Sequence, residues 1–379
     1  MSTFHALRVA SVDRLTDDSV ALTIAVPPEL RSLYGYAPGQ HIALRRHRGE
    51  GADGSAGADS GSAAYTGSEV RRTYSLCAPS SDAPETLRVG IRGIEGGDFS
   101  TYAVKELAPG DTVDVLPPAG RFVLEPRPGH FAAVVGGSGI TPVLSIAATL
   151  LAREPESRFC LIRSDRSTAS TMFLEEVADL KDRFPHRFQL VTVLSREEQQ
   201  SGLPSGRLDT ERLRQLLPAL LPVEEIAGWY LCGPLGLVEG ASRAMRELGV
   251  PRGRIHQEIF HVTDAPAAPA GEAARAPGAG ADGAAAARAA AVTATLDGRS
   301  GSWPMNEGES VLETVLRHRA DAPFACKGGV CGTCRVRLVS GDVHMERNYA
   351  LEEDELEAGY VLACQSRPLT SAVEVDFDG

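Results

Sequence analysis

The run Cys326-Lys327-Gly328-Gly329-Val330-Cys331-Gly332-Thr333-Cys334 is answered by a lone Cys364, with 29 residues between Cys334 and Cys364. Thiolates spaced Cys-x4-Cys-x2-Cys with a fourth far downstream hold a [2Fe-2S] cluster, two sulfurs to each iron. Gly328, Gly329 and Gly332 fit that use. A loop wrapped round a cluster must bring backbone N–H groups close to sulfur and take positive φ where it turns. Zinc is the competing metal, because Cys331-x2-Cys334 would serve half of a tetrahedral site. Such sites, however, pair two close doublets, and here the fourth cysteine stands alone. Four of the chain's seven cysteines fall into this one pattern, which argues against unrelated buried thiols. A cluster of this kind carries one electron at a time, so the rest of the chain must supply or receive it.

Two further groups are suited to phosphates and flat rings. Arg72-Thr73-Tyr74-Ser75 lies in an alternating run, followed by Leu87-Arg88-Val89-Gly90-Ile91-Arg92 and by Gly96-Gly97-Asp98-Phe99-Ser100-Thr101. Alternate side chains of a strand share a face, and an arginine adds a charge-assisted fork. The glycine pair can open a helix whose first amides face an anion. Taken singly, Arg72 reads as a surface arginine and Tyr74 as core filler. The other group is Gly136-Gly137-Ser138-Gly139-Ile140-Thr141-Pro142, between the apolar run Phe131-Ala132-Ala133-Val134-Val135 and a helical pattern over 143–151. A glycine turn there presents amides and the positive end of a helix dipole to a phosphate-bearing ligand. Pro142 suits a first helical turn. This is not the Gly-x-Gly-x-x-Gly fingerprint, and a glycine loop alone is weak.

The elements that must carry these groups are legible in the periodicity. Alternation at Leu7-Arg8-Val9, over 20–26 and over 39–44 predicts half-buried strands of an antiparallel barrel. A Gly/Ala/Ser/Asp-rich stretch over 46–68 reads as a solvated loop inserted between strands. From the apolar run at 131–135 strands and helices alternate: strands over 158–163, 188–194 and 228–232, helices over 171–181, 209–217 and 235–248. That order predicts a parallel sheet covered on both faces, with ligands beyond the carboxyl ends of its strands. The glycine loop, Arg163-Ser164-Asp165-Arg166 and Cys232-Gly233-Pro234 all fall at those ends. Arg163 and Arg166 would suit the 2′-phosphate of NADPH, whereas Asp165 would repel it and suit the ribose hydroxyl of NADH. Two arginines against one carboxylate lean to NADPH. Residues 263–290, almost wholly Ala, Gly and Pro, read as a linker that lets the last part reorient. Beyond it come strand 292–296, a turn at Asp297-Gly298, a strand near Trp303, a helix over 310–318 capped by Ser310 with Glu313, and strands over 335–339 and 373–377.

Composition excludes several classes. At 379 residues the chain suits two to three domains. A net charge of −12 argues against nucleic-acid binding and is compatible with docking on a basic protein patch. No apolar run reaches the length of a membrane span, and the N-terminus has no signal-like segment, which implies a cytoplasmic protein. Cys77, Cys160 and Cys232 are isolated, and read as core thiols rather than disulfides.

Taken in order, the Arg72-Thr73-Tyr74-Ser75 and Gly96-Gly97-Asp98-Phe99-Ser100 segments resemble the ferredoxin-NADP reductase superfamily. The resemblance puts Arg72, Thr73, Tyr74 and Ser75 against FAD, with Gly90 on the neighbouring strand and Gly97, Phe99 and Ser100 at its pyrophosphate. It puts Gly137, Ser138, Gly139, Thr141, Gly233 and Pro234 at the nicotinamide nucleotide. Cys232 falls beside the hydride-transfer site, with Glu258 and Phe260 of Ile255-His256-Gln257-Glu258-Ile259-Phe260 approaching the flavin. The C-terminal part resembles plant-type ferredoxins, which implies an α+β β-grasp fold. The domains expected are a β-barrel flavin domain (1–125), an α/β nicotinamide domain (126–262), the linker (263–290) and a [2Fe-2S] ferredoxin domain (291–379). Tyr36-Ala37-Pro38-Gly39-Gln40-His41, Thr171-Met172-Phe173, Phe324-Ala325-Cys326 and Gly359-Tyr360-Val361-Leu362-Ala363-Cys364-Gln365 extend the resemblance to the reductase subunits of phenylacetyl-CoA epoxygenases. It implies an NAD(P)H-dependent oxidoreductase feeding a separate di-iron oxygenase of aerobic phenylacetate degradation. The chain has no haem-ligand motif, no pair of Glu-x-x-His motifs and no Rieske pattern of its own. The reductase of another ring hydroxylase or haem monooxygenase, and a general diaphorase, share most of these motifs.

Overall fold

Alternating apolar residues build the first sheet. In β1 (His5–Thr16) Leu7 and Val9 turn inward, and β2 (Ser19–Ala25) buries Val20, Leu22 and Ile24. With β3 (His41–His47), β4 (Glu69–Ser75), β5 (Thr86–Arg92) and β6 (Thr112–Val115) they form an antiparallel sheet in the order β4-β3-β6-β1-β2-β5. A bridge between Leu76 and Val89 joins its two edges, closing it as a barrel requires. Helix α1 (Asp98–Lys105), opened by Gly96-Gly97, drops Phe99 into the barrel core beside Tyr74. Burying that ring contributes roughly 2 kcal/mol. The computed structural model describes residues 3–47, 69–197, 206–261, 274–275, 290–319, 322–324, 326–351 and 353–379. Most of the loop expected over 46–68 lies outside them. So does the linker expected over 263–290, apart from 274–275 and 290.

The second unit is the alternation made solid. Strands β7 (His130–Gly136), β8 (Arg158–Asp165), β9 (Phe188–Leu194), β10 (Gly228–Pro234) and β11 (Ile255–His261) form a parallel sheet in the order β11-β10-β7-β8-β9. Helices α2 (Ile140–Arg153), α3 (Leu174–Arg183), α4 (Thr210–Leu220) and α5 (Leu235–Glu247) connect them. The strand order reverses between β7 and β10, the crevice where such sheets take ligands. Helix α3 starts at Leu174 and not at Thr171 as the pattern predicts. Phe173 takes φ 55°, which a helix interior cannot hold, and sends its ring against the barrel.

The C-terminal unit is a mixed sheet, β14-β13-β19-β15-β17, with α6 (Val311–Leu316) packed on it. Its strands are β13 (Ala291–Leu296), β14 (Arg299–Pro304), β15 (Arg335–Ser340), β17 (Tyr360–Leu362) and β19 (Ala372–Asp376). Asp297 and Gly298 both have positive φ, as the tight hairpin between β13 and β14 demands. The Ser310/Glu313 capping box forms, but the helix ends earlier than the pattern predicts, and His318 beyond it stacks on Trp303. A small sheet that periodicity did not predict joins β12 (Ala274–Arg275), β16 (Asp342–Met345) and β18 (Ser366–Pro368). Short helix α7 (Glu353–Glu357) follows β16. Val330 and Tyr349 of this unit pack on the apolar core of the parallel-sheet unit.

Candidate active site and cluster loop

Where barrel and parallel sheet meet, four strands bring four polar side chains together. The β10/β11 register sets Cys232 beside Glu258, with Cys232 Sγ 3.9 Å from Glu258 Oε2. The β3/β4 register sets His41 opposite Ser75. The Ser75 hydroxyl donates to Glu258 Oε2 at 3.3 Å, and His41 Nδ1 lies 3.9 Å from Glu258 Oε1. Burial pushes the Glu258 carboxyl up to about 7, and the Ser75 hydrogen bond only partly offsets it. Burial pushes the His41 imidazole down to about 4. Near neutral pH the two are therefore not an ion pair, despite their spacing: the imidazole is uncharged and the carboxyl holds a proton much of the time. Burial, with the Glu258 charge added, pushes the Cys232 thiol well above its ordinary value, so it stays protonated. Phe260, half-buried near the end of β11, packs against the apolar core to which Cys232 belongs.

The glycine tip of β7 is built for close approach. A side chain at Gly139 would meet the Cys232 carbonyl at 2.2 Å, and one at Gly233 would meet the Gly136 carbonyl at 2.8 Å. Gly137 takes φ 54° and opens a short 3-10 turn that runs into α2, where Thr141 Oγ1 donates to the Ser138 carbonyl. Neither the turn nor α2 has a side-chain cap, and the Ile140 amide is bonded within the turn to the Gly137 and Ser138 carbonyls. An uncapped, glycine-lined helix start of this kind suits a dinucleotide pyrophosphate.

In the cluster loop Lys327, Gly329 and Gly332 all take positive φ, and the four thiols fall into two pairs, Cys326 with Cys331 and Cys334 with Cys364. The Cys331 thiol donating to it, with the amides of Gly328, Val330 and Cys331, holds Cys326 down at about 5 against burial. Gly328 N–H lies 3.3 Å from Cys326 Sγ, and Gln365 Nε2 lies 3.5 Å from Cys364 Sγ while also donating to the Lys327 carbonyl. Two sulfur pairs ringed by N–H donors fit a two-iron cluster better than a zinc ion, whose structural sites gather four ligands around one metal.

Comparison with known proteins agrees. Residues 294–369 match the model of the 2Fe-2S iron-sulfur cluster binding domain, and 134–243 that of the oxidoreductase NAD-binding domain. The chain is 42% identical to one of the subunits of the 1,2-phenylacetyl-CoA epoxidase of Escherichia coli, over 100% of this chain and 99% of that one. The chain belongs to the oxygenase reductases of the ferredoxin-NADP reductase superfamily. It is also 32% identical to the ferredoxin reductase component of 3-ketosteroid-9-alpha-monooxygenase of Rhodococcus rhodochrous, over 98% and 96% of the two chains. Phthalate dioxygenase reductase shares the whole fold, with TM-score 0.58, 23% identity and coverage of 99% and 98%. The chain is thus an NAD(P)H-dependent reductase with a [2Fe-2S] cluster, and its partners are oxygenase subunits. Among the described residues no helix is long and apolar enough to cross a membrane.

Several side chains of the reductase sit differently from what the motifs imply. Phe99 is fully buried in the barrel core and supports Tyr74 from beneath, while the Ser100 hydroxyl accepts from the Ile94 amide. Both side chains are thus buried, and what this segment offers a ligand is the start of α1 at Gly97. Gly90 is needed for packing, since a Cβ there would strike the Phe173 ring at 2.6 Å and the Thr141 methyl at 2.7 Å. Arg163, 1% exposed, spends its guanidinium on Asp165 at 2.8 Å and on the Met172 carbonyl, so it is no fork for a 2′-phosphate. Arg166 and Pro234 are exposed at the strand ends, and Arg72 is exposed on β4 with Nη1 on the Arg71 carbonyl. Thr73, next along β4, is half-buried. His41 and Gln365 were given no site role by the sequence, although each closes a segment that carries the resemblance, Tyr36–His41 and Gly359–Gln365, and that membership was the available signal.

Proposed function

We propose that the reductase draws electrons from NAD(P)H through FAD and its [2Fe-2S] cluster and delivers them to a separate di-iron oxygenase that epoxidises phenylacetyl-CoA. A nicotinamide gives electrons in pairs, a flavin takes pairs and releases them singly, and the cluster passes single electrons on. The observation that carries the reading is identity at 42% along the full length of a component of that enzyme, with both thiol pairs present.

The chain's own residues have definite parts in it. Arg72, Tyr74 and Ser75 on β4 would hold the flavin. The Gly137–Thr141 tip, with Gly233 and Pro234, would hold the pyrophosphate and nicotinamide. Glu258, with a carboxyl poised near neutrality, can keep or release a proton at Oε2 while Ser75 steadies it. Cys232 stays a neutral thiol and fills the space beside the reacting ring. Arg166, the remaining arginine at the β8 tip, is the donor for a 2′-phosphate, which keeps NADPH as the preferred donor.

The test is reconstitution. The purified holo-reductase, mixed with the oxygenase components encoded in the same genome, should consume NADPH and oxygen only when phenylacetyl-CoA is added, and should give an oxygenated CoA ester. The 32% likeness to a ketosteroid monooxygenase component supports a second reading, a ring hydroxylase. A ketosteroid in place of the CoA ester decides between them.

A further inference from the structure

We infer that Arg71 is a positioning residue that pins the loop leading into the cluster cysteines against the flavin-binding strand. The inference rests on the reading that Arg72, Tyr74 and Ser75 hold the flavin. Along β4 the pleat sends Arg71 and Arg72 to opposite faces. Arg72 is exposed, whereas Arg71 is 3% exposed and reaches into the C-terminal unit. Its guanidinium lies 4.3 Å from the centre of the Phe324 ring, and Nη1 donates to the Ala322 carbonyl at 3.4 Å. On the barrel side Glu69 pairs with it at 2.6 Å and Phe4 lies 5.0 Å away. Phe324 is two residues before Cys326, and Lys327 covers the same ring at 4.8 Å. One guanidinium therefore ties a strand that carries the flavin contacts to a loop that carries the first cluster ligand.

Among the described residues two other arginines cross to the same unit, and their settings rank them below Arg71. Arg121 pairs with Glu355, which Arg335 also holds, and donates to the Ala350 carbonyl, but its own side chain is half exposed. Arg252 pairs with Glu353 where both are open to water, 62% and 68% exposed. Exposed pairs contribute little and are screened by salt, whereas a desolvated guanidinium against an aromatic face and a carbonyl holds its geometry. Arg71 is thus the contact that sets how the two redox sites face each other, and the exposed pairs only guide the approach.

The experiment uses the full-length holoprotein and no oxygenase, so its outcome is independent of which acceptor the reductase serves. Arg71→Met, Arg71→Lys, Phe324→Leu and Arg252→Ala are compared with the parent by stopped-flow absorbance, following flavin reduction by NADPH and bleaching of the cluster separately. Amide hydrogen exchange over 322–334 is measured in the oxidised protein. Arg71→Met should leave flavin reduction unchanged, slow cluster bleaching about tenfold or more, and speed exchange in that segment. Phe324→Leu keeps the Glu69 pair and removes the ring, and should change bleaching and exchange in the same direction. Arg71→Lys, which keeps the charge over the ring, should recover part of the rate, and Arg252→Ala should match the parent. Parent-like bleaching and exchange in both Arg71→Met and Phe324→Leu would overturn the inference. So would an equal effect from Arg252→Ala.

Discussion

The cluster loop and the tip of β8 are both short runs of residues able to bind ligands, and the fold treats them in opposite ways. In the loop, positive φ at Lys327, Gly329 and Gly332 frees the backbone from any period, and Cys326 and Cys331, five apart, meet. At the strand tip the pleat has a strict period of two. Arg163 and Asp165 share the inner face and pair there, leaving Arg166 to point out. Where the backbone is irregular, spacing in the sequence can be read as a ligand pattern. Where it is regular, the pleat decides which residue a ligand can reach.

The largest effect expected is at the loop. Cys331→Ser should abolish the visible absorbance of the cluster while NADPH still reduces the flavin. Loss of both would mean that the units do not fold separately, and the loop could not then be treated as a region apart. Next comes the strand. Breaking a buried pair leaves an uncompensated charge and costs about 3–5 kcal/mol. Asp165→Ala should therefore lower the denaturant midpoint sharply, with the NADPH-to-NADH ratio of kcat/KM little changed. The sequence alone implies the reverse, a selectivity shift in Asp165→Asn, because it places Asp165 at the nucleotide. A stable Asp165→Ala protein with a shifted ratio would break the comparison.

What could be read without coordinates follows the same division. The barrel and the parallel sheet were legible because burial imposes periods of 2 and 3.6 over many residues, and the β-grasp fold through the likeness of the C-terminal part to plant-type ferredoxins. The cluster ligands were legible because thiolates at that spacing have few other uses. That Phe99 and Ser100 are buried was not legible, because a segment's likeness says where the chain passes and not which way each side chain turns. Arg163 was misread because its partner, Asp165, is a neighbour that looked like a rival for the ligand. The gathering of His41, Ser75, Cys232 and Glu258 depends on the docking of two sheets, and no local pattern encodes that contact.

Glu258 lies between the two extremes, on a regular strand but facing the crevice. Its carboxyl is raised to about 7 in the folded protein from an ordinary 4.5. Between those values the native state holds more protons than the unfolded one, so this group's contribution to stability falls as pH rises from 4.5 to 7, by about 3 kcal/mol. His41 works the other way. Native at about 4 against 6.5 unfolded, it contributes less stability as pH falls through that window. The parent's profile mixes the two. The difference between parent and Glu258→Gln isolates the carboxylate: the variant should gain relative stability steadily from pH 5 to 7.5 and plateau above. A difference flat in pH would mean that Glu258 is solvated like a surface acid, and the crevice is wetter than its burial implies.

The smallest effect belongs to Arg166. It stands exposed just past the end of β8, where a 2′-phosphate would find it, but water and salt reach it as well. An exposed charge contact of this kind contributes about 1 kcal/mol, roughly fivefold in KM. Arg166→Ala should therefore raise KM for NADPH by about that factor, leave kcat and the KM for NADH unchanged, and show its effect mainly at low ionic strength. The same substitution should not alter the denaturant midpoint, in contrast to Asp165→Ala one residue earlier. An unchanged KM for NADPH would remove the last arginine at this tip from nucleotide choice. The reductase would then read NADH and NADPH alike through its glycine cradle, whose backbone donors cannot see the 2′ position.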